Sequence, residues 1–274
     1  MIDTKLEVEV KEVEYQPGFM ARIYQPQGTG PFPAILDIHG GAWNNGGRAN
    51  NEAIDRFIAA HGAVVAAIDF RLGEQGRYPL SITDTNLGIR WLKLHAADFN
   101  GRNDHIGGLG TSSGGHMIVL AAMRPNDPRY AALTLEGGEG LDASLDYVMM
   151  CWPILDPQAR YHMAKQKGRQ ELVANHDRYW GAEEPMAEGN PTLILERGEQ
   201  VTPPPAVVIQ GTADDNVTPD MASRFCAAYI KRGGSIELHE FEGEVHGFIG
   251  QDPTRPAAVR ALETLRDFFL KQTS

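Results

Sequence analysis

Apolar and polar residues alternate one by one over "KLEVEVKEVEY" (5–15), the period of a strand with one face in water. Beyond a turn at Gly18, "FMARIYQP" (19–26) reads as its antiparallel partner. The pattern then changes to compact apolar runs: "PAILDI" (33–38), "AVVAAID" (63–69), "HIGGLG" (105–110), "YVMMCW" (147–152), "AVVIQG" (206–211) and "SIELHEF" (235–241). Between most of them the spacing is helical. Segment 80–97 carries Leu80, Leu87, Ile89, Trp91, Leu92 and Leu94; segment 254–271 carries Val259, Leu262, Leu265, Phe268 and Phe269. A run with no polar face is a strand covered on both sides, and strands alternating with helices pair in parallel. The expected fold class is α/β: one domain over 1–274, built on a mostly parallel sheet of about eight strands with helices on both faces.

One interval breaks this rhythm. Between the runs at 147–152 and 206–211 lies a long polar and aromatic stretch that includes "DPQARYHMAKQKGRQELVANHDRYWGAEEPM" (156–186). A structureless loop of that length is uncommon in a compact domain, so a cap insertion is expected at about 153–202.

The chemistry concentrates at "GLGTSSGGH" (108–116), which follows an apolar run and precedes the helical "HMIVLAAM". Strand, tight turn and helix are the setting of the G-x-S-x-G nucleophile elbow. The positions two before and two after the nucleophile must be small. Centred on Ser112 they are Gly110 and Gly114; centred on Ser113 they are Thr111 and Gly115, and a branched threonine fits badly. Ser112 is therefore the candidate nucleophile, against the plainer alternative of a glycine-rich turn without chemistry. A phosphate-cradling loop is weaker, because the lysine of a P-loop is missing and "GEGLDA" (138–143) leads into a strand.

A serine hydroxyl needs an imidazole to take its proton and a carboxylate to orient that imidazole. On such a sheet the chain order is Ser, Asp or Glu, His, each at the carboxyl end of a strand. "VVIQGTADDNVTP" (207–219) offers Asp214 and Asp215, and "IELHEFEGEVHGF" (236–248) offers His246 on a loop before Gly247. His239 lies within a strand and reads as structural; His162 and His176 precede the aspartates. Backbone donors for an oxyanion are expected from "LDIHGGAWNNGG" (36–47): the N–H groups of Gly41 and Ala42, joined by that of Ser113. His39 reads as a brace for that loop.

With these residues in view the chain resembles the α/β-hydrolase superfamily, in its acetyl-esterase and carboxylesterase branch related to the hormone-sensitive-lipase-like enzymes. The likeness runs over about 20–272 and rests on "HGGAW", "DFRL", "YPLSITDTNLGIRWL", "GTSSGG", "GTADDNV" and "VHGF". It implies a Ser112–Asp214–His246 triad, an oxyanion hole on 41–42 and 113, and a cap over the acyl pocket. Ala42 replaces the third glycine of the lipase-type loop but keeps its N–H. The elbow G-T-S-S-G departs from G-D-S-A-G and places the chain nearer bacterial single-domain acyl esterases.

The implied activity is serine ester hydrolysis of short- to medium-chain soluble esters, with no metal and no cofactor. An amide hydrolase on the same triad is the alternative, since "GTADDNV" also resembles the aspartate loop of prolyl-oligopeptidase-type peptidases and "HGG" recurs in formamidases. A non-catalytic binding protein on the same fold is the third. Trp43, Trp152, His162, Tyr179 and Trp180 are candidates for the pocket wall, with buried packing as the plainer role. "ARYHMAKQKGR" (159–169) reads as a solvated basic helix face, with a substrate carboxylate as its alternative partner.

The remaining composition narrows partners. A formal net charge of −11 leaves no electrostatic footprint for nucleic acid or an anionic membrane surface. The small-molecule ester and a second copy of the chain (a homodimer) are the partners it admits. Cys151 and Cys226 fit no metal or redox spacing and read as reduced, buried thiols. "MIDTKLEVEV" lacks the marks of a signal peptide, and the apolar runs are far too short to span a bilayer, so a cytoplasmic setting is expected.

Overall fold

In the computed structural model, which describes residues 5–274, eight strands form one sheet among the described residues. They are β1 (Val8–Gln16), β2 (Phe19–Pro26), β3 (Phe32–Ile38), β4 (Val64–Ile68), β5 (Gly101–Thr111), β6 (Tyr147–Cys151), β7 (Ala206–Gly211) and β8 (Ile236–Phe241). Their spatial order is β1-β2-β4-β3-β5-β6-β7-β8. β1 and β2 are antiparallel and β2 joins β4 antiparallel; from β4 to β8 every pairing is parallel.

β4, β6 and β7 are buried at every residue, as a parallel sheet between helices requires, whereas β8 at the sheet edge is mostly half-buried. Successive residues serve opposite cores. Leu36 and Val208 face one, with Leu87 of α2 (Leu80–His95), Ile118 of α3 (Ser113–Met123) and Phe225 of α8 (Pro219–Lys231). Ile35 and Val207 face the other, with Ile58 of α1 (Glu52–Ala60) and Leu262 of α10 (Pro256–Thr273). α3 lies in the middle of the first core with every residue buried, so it has no polar face to show. The parallel register carries the ends of β3, β5, β7 and β8 to one rim of the sheet, where crossover connections must leave and ligands ordinarily bind.

Between β6 and β7 the chain forms four short helices: α4 (Pro157–Gln166), α5 (Gln170–Trp180), α6 (Glu183–Glu188) and α7 (Pro191–Glu196). Two start on cap-and-proline pairs. The Asp156 carboxylate accepts from the Ala159 N–H at 2.9 Å, and the Asn190 amide oxygen accepts from the Leu193 N–H at 3.0 Å. The Asn190 amide also donates to Asp156 at 2.7 Å, which ties the first and last of these helices together. A short α9 (Phe248–Gln251) follows β8. No helix among the described residues is long and apolar enough to cross a membrane.

Candidate active site

β5 ends at Thr111, and Ser112 takes φ 52° and ψ −116° before α3 begins. A left-handed φ on a residue other than glycine is strained and must be held by its surroundings. Here the Ser112 N–H donates to the Cys151 carbonyl at 2.9 Å, and the Ser112 carbonyl accepts from Ile154 N–H at 3.0 Å. The flanking glycines are steric necessities. A Cβ on Gly114 would lie 1.9 Å from the Ile38 carbonyl oxygen, and one on Gly110 would lie 2.6 Å from Gly114 backbone. Ser112 borders the cavity described below, whereas Ser113 is wholly buried and its hydroxyl accepts from the Trp43 N–H at 3.1 Å.

The Ser112 hydroxyl lies 3.0 Å from His246 Nε2, and His246 Nδ1 lies 2.8 Å from Asp214 Oδ2. With its Nδ1–H donated to the carboxylate, the imidazole leaves Nε2 free to accept from the serine. Asp214 is buried and saturated. Its Oδ1 accepts from the N–H groups of Asn216 (2.9 Å) and Val217 (2.8 Å), and Oδ2 accepts from Gln210 (3.0 Å) as well as His246. Asp215 instead faces outward to an exposed pair with Arg169. His239 sits on β8 beside Glu237, away from the serine. His39 stacks on Phe70 at 4.3 Å and donates to the Gly40 carbonyl, and burial lowers its pKa.

The loop after β3 runs through three left-handed residues in succession, Gly41 (φ 118°), Ala42 (51°) and Trp43 (63°). Gly41 admits no side chain, because a Cβ there would meet the Asn45 carbonyl oxygen at 1.9 Å. The N–H groups of Gly41, Ala42 and Ser113 find no protein acceptor among the described residues. The loop is clamped by the Trp43–Ser113 bond, by Gly73 N–H on the Trp43 carbonyl (2.9 Å), and by the Asn44 amide, which donates to Ala42 O (2.6 Å) and Asn175 O (2.9 Å).

Of the five residues expected in the pocket wall, the structure brings Trp152 to the cavity and the other four elsewhere. Trp43, Tyr179 and Trp180 are buried in one aromatic cluster; Trp43 stacks on Tyr179 at 4.9 Å and meets Trp180 at 5.6 Å. Their large rings gain more from burial beneath the loop than from a polar cavity. The Trp43 indole N–H donates to His116 Nδ1 at 3.2 Å, so His116 carries its proton on Nε2 and donates it to Gly189 O at 2.9 Å. His162 is exposed and pairs with Glu183 on the surface.

A cavity of about 390 Å³ opens over Ser112 and His246. Its wall is more polar than the sequence suggests: Asn51, Arg160, Asn175 and Asn216 border it alongside Trp152 and Leu172. Arg160 was legible only as one member of a basic stretch; Asn216 stands in the "GTADDNV" motif beside the chosen aspartate.

The BD-FAE family model matches residues 22–228. Esterase LipC of Mycobacterium tuberculosis is 30% identical over 80% of this chain and 54% of its own length. Carboxylesterase NlhH of the same organism is 25% identical, over 94% of this chain and 80% of its own. The chain spans about half the length of the first of these curated relatives. Among solved structures, a thermophilic esterase of Thermogutta terrifontis with propionate bound superposes with a TM-score of 0.73 at 24% identity, over 99% of this chain and 96% of that one. Esterase B of Lactobacillus rhamnosis gives 0.81 at 20% identity, over 98% and 88%. These likenesses establish the α/β-hydrolase fold.

Proposed function

The chain belongs to the BD-FAE family, and from that membership and the site's geometry we propose that it is a serine carboxylesterase for short- to medium-chain soluble esters. One observation carries the reading: a strained serine at a strand end, 3.0 Å from an imidazole that is itself 2.8 Å from a buried, fully hydrogen-bonded carboxylate. The relatives' names as esterases support the bond type.

In this reading Ser112 Oγ attacks the ester carbonyl as its proton passes to His246 Nε2. Asp214 holds the Nδ1–H and stabilises the imidazolium. The carbonyl oxygen becomes an oxyanion, received by the N–H groups of Gly41, Ala42 and Ser113, which are already oriented and otherwise unpaired. Collapse breaks the C–O bond; His246 returns the proton to the leaving alcohol, and the acyl group stays on Ser112. Water then adds under the same base, and the acid departs with Ser112 restored. The helices of 157–196 act as a cap that supplies one wall of the cavity.

The test is hydrolysis of a p-nitrophenyl ester series, acetate through decanoate, by wild type and Ser112→Ala. Turnover of the short esters by wild type alone supports the reading. Inertness of the wild type, or equal activity of the alanine variant, overturns it.

A further inference from the structure

Arg160 is a buried charge at the cavity wall that this mechanism leaves unused. It sits on α4, is 1% exposed, and borders the cavity over Ser112. A buried guanidinium normally finds a carboxylate, because an unpaired charge out of water is costly. Here no carboxylate among the described residues pairs with it. Its Nε–H donates to the Asn216 carbonyl (3.1 Å) and side-chain oxygen (3.2 Å), and Nη2 donates to that same side-chain oxygen (2.5 Å).

Nη1 is different. The protein atom it approaches is His176 Nδ1, at 3.4 Å. That nitrogen lies 2.8 Å from the Leu172 carbonyl, which can only accept, so Nδ1 must carry the proton. A protonated Nδ1 offers nothing to a guanidinium, and the Nη1 donors are left without an acceptor among the described residues. The aspartate whose charge reaches Arg160, Asp214, is closed to it by its own four donors. Burial lowers the Arg160 pKa to about 10, so the group stays charged at neutral pH. Glu171 also borders the cavity, but it is exposed to solvent.

We propose that Arg160 is an anion-recognition residue of the active-site cavity, and that the preferred substrates are esters bearing a carboxylate a few bonds from the scissile carbonyl. In this proposal the guanidinium's uncommitted donors meet one carboxylate oxygen, and the amides of Asn216 and Asn175, which also border the cavity, complete a polar seat for it. The inference rests on the esterase reading and deepens it. A neutral ester leaves the guanidinium as it is; an anionic one supplies the missing counter-charge.

Two isosteric pairs test this by pH-stat, with p-nitrophenyl acetate as a neutral reference. Monoethyl glutarate against its carboxamide counterpart places the charge on the acyl side; O-acetyl lactate against O-acetyl lactamide places it on the alcohol side. Wild type is expected to favour the carboxylate member of one pair by about tenfold or more in kcat/KM, as a charge-assisted hydrogen bond would give. Arg160→Gln is expected to bring that ratio close to one, and Arg160→Lys to keep part of it. A purely structural role through Asn216 would lower both members together and leave the ratio standing, which overturns the proposal. So does a wild-type ratio at or below one in both pairs while p-nitrophenyl acetate is hydrolysed, an outcome that spares the esterase reading. If wild type hydrolyses no ester at all, both fail.

Discussion

Replacing Ser113 with alanine tests how the proposed oxyanion loop is held. The substitution keeps the Ser113 N–H and removes the hydroxyl that accepts from Trp43 N–H at 3.1 Å. Both groups are buried, so the variant leaves a backbone donor unsatisfied, at a cost of about 1–3 kcal/mol. The loop has a way to reduce that cost. Ala42 and Trp43 are held at φ 51° and 63°, a conformation that side chains resist, and slackening the clamp lets them drift. Drift would move the Gly41 and Ala42 N–H groups away from the oxyanion position proposed for them. Outright loss of one such donor costs about 100- to 1,000-fold in kcat, so a displaced loop is expected to lose about tenfold. KM should change little, since these donors act on the transition state. The assay is kcat and KM on p-nitrophenyl acetate beside urea unfolding of the same preparation. A variant that loses stability yet keeps kcat within about twofold refutes the link between this hydroxyl and the hole.

Other outcomes follow from the same geometry. Asp214→Asn, which puts an amide where four donors converge, should lower kcat about 10,000-fold with the fold retained by circular dichroism. Gly114→Ala should destabilise by about 3 kcal/mol or more in urea unfolding, whereas Gly250→Ala, whose Cβ meets nothing within 4 Å, should change stability little. Burial lowers the His116 pKa to about 4 while the unfolded chain titrates near 6.5. Protons therefore bind the unfolded state first as pH falls through 6.5, and wild type loses up to about 3 kcal/mol by pH 4. Against His116→Phe, which lacks this titration, the stability advantage of wild type should shrink from pH 7 to pH 4; a constant difference would count against a buried neutral imidazole. Both cysteines are buried with thiol pKa values pushed up, Cys226 to about 12, so iodoacetamide should label neither until the protein unfolds.

β4, β6 and β7 were legible because burial on both faces leaves an apolar run, while β8 at the sheet edge alternates; the ends of these strands pointed to the serine, the aspartate loop and the histidine loop as candidates. The elbow was legible because backbone contact at Gly110 and Gly114 excludes every side chain, a constraint written in residue type. The cavity wall was not. An aromatic residue serves a core or a pocket equally well, and what decides for Trp43 is a left-handed turn on non-glycine residues that sends the ring inward. Arg160 misled in the opposite sense. It stands in a polar helix among lysines that do face water, and its burial comes from packing against Asn216, 56 residues further along the chain. The starts of the inserted helices carried a local signal, the Asp156-Pro157 and Asn190-Pro191 pairs, but where those helices pack depends on contacts with the loops after β3 and β7.

The most direct test of the central claim is mass-spectrometric mapping of the native protein after reaction with a p-nitrophenyl alkylphosphonate. A serine activated by His246 and Asp214 should take up one phosphonate per chain, on Ser112, with loss of ester hydrolysis in proportion; Ser112→Ala should take up none. Adducts at other residues with Ser112 unmodified, or full labelling that leaves hydrolysis intact, would contradict the account.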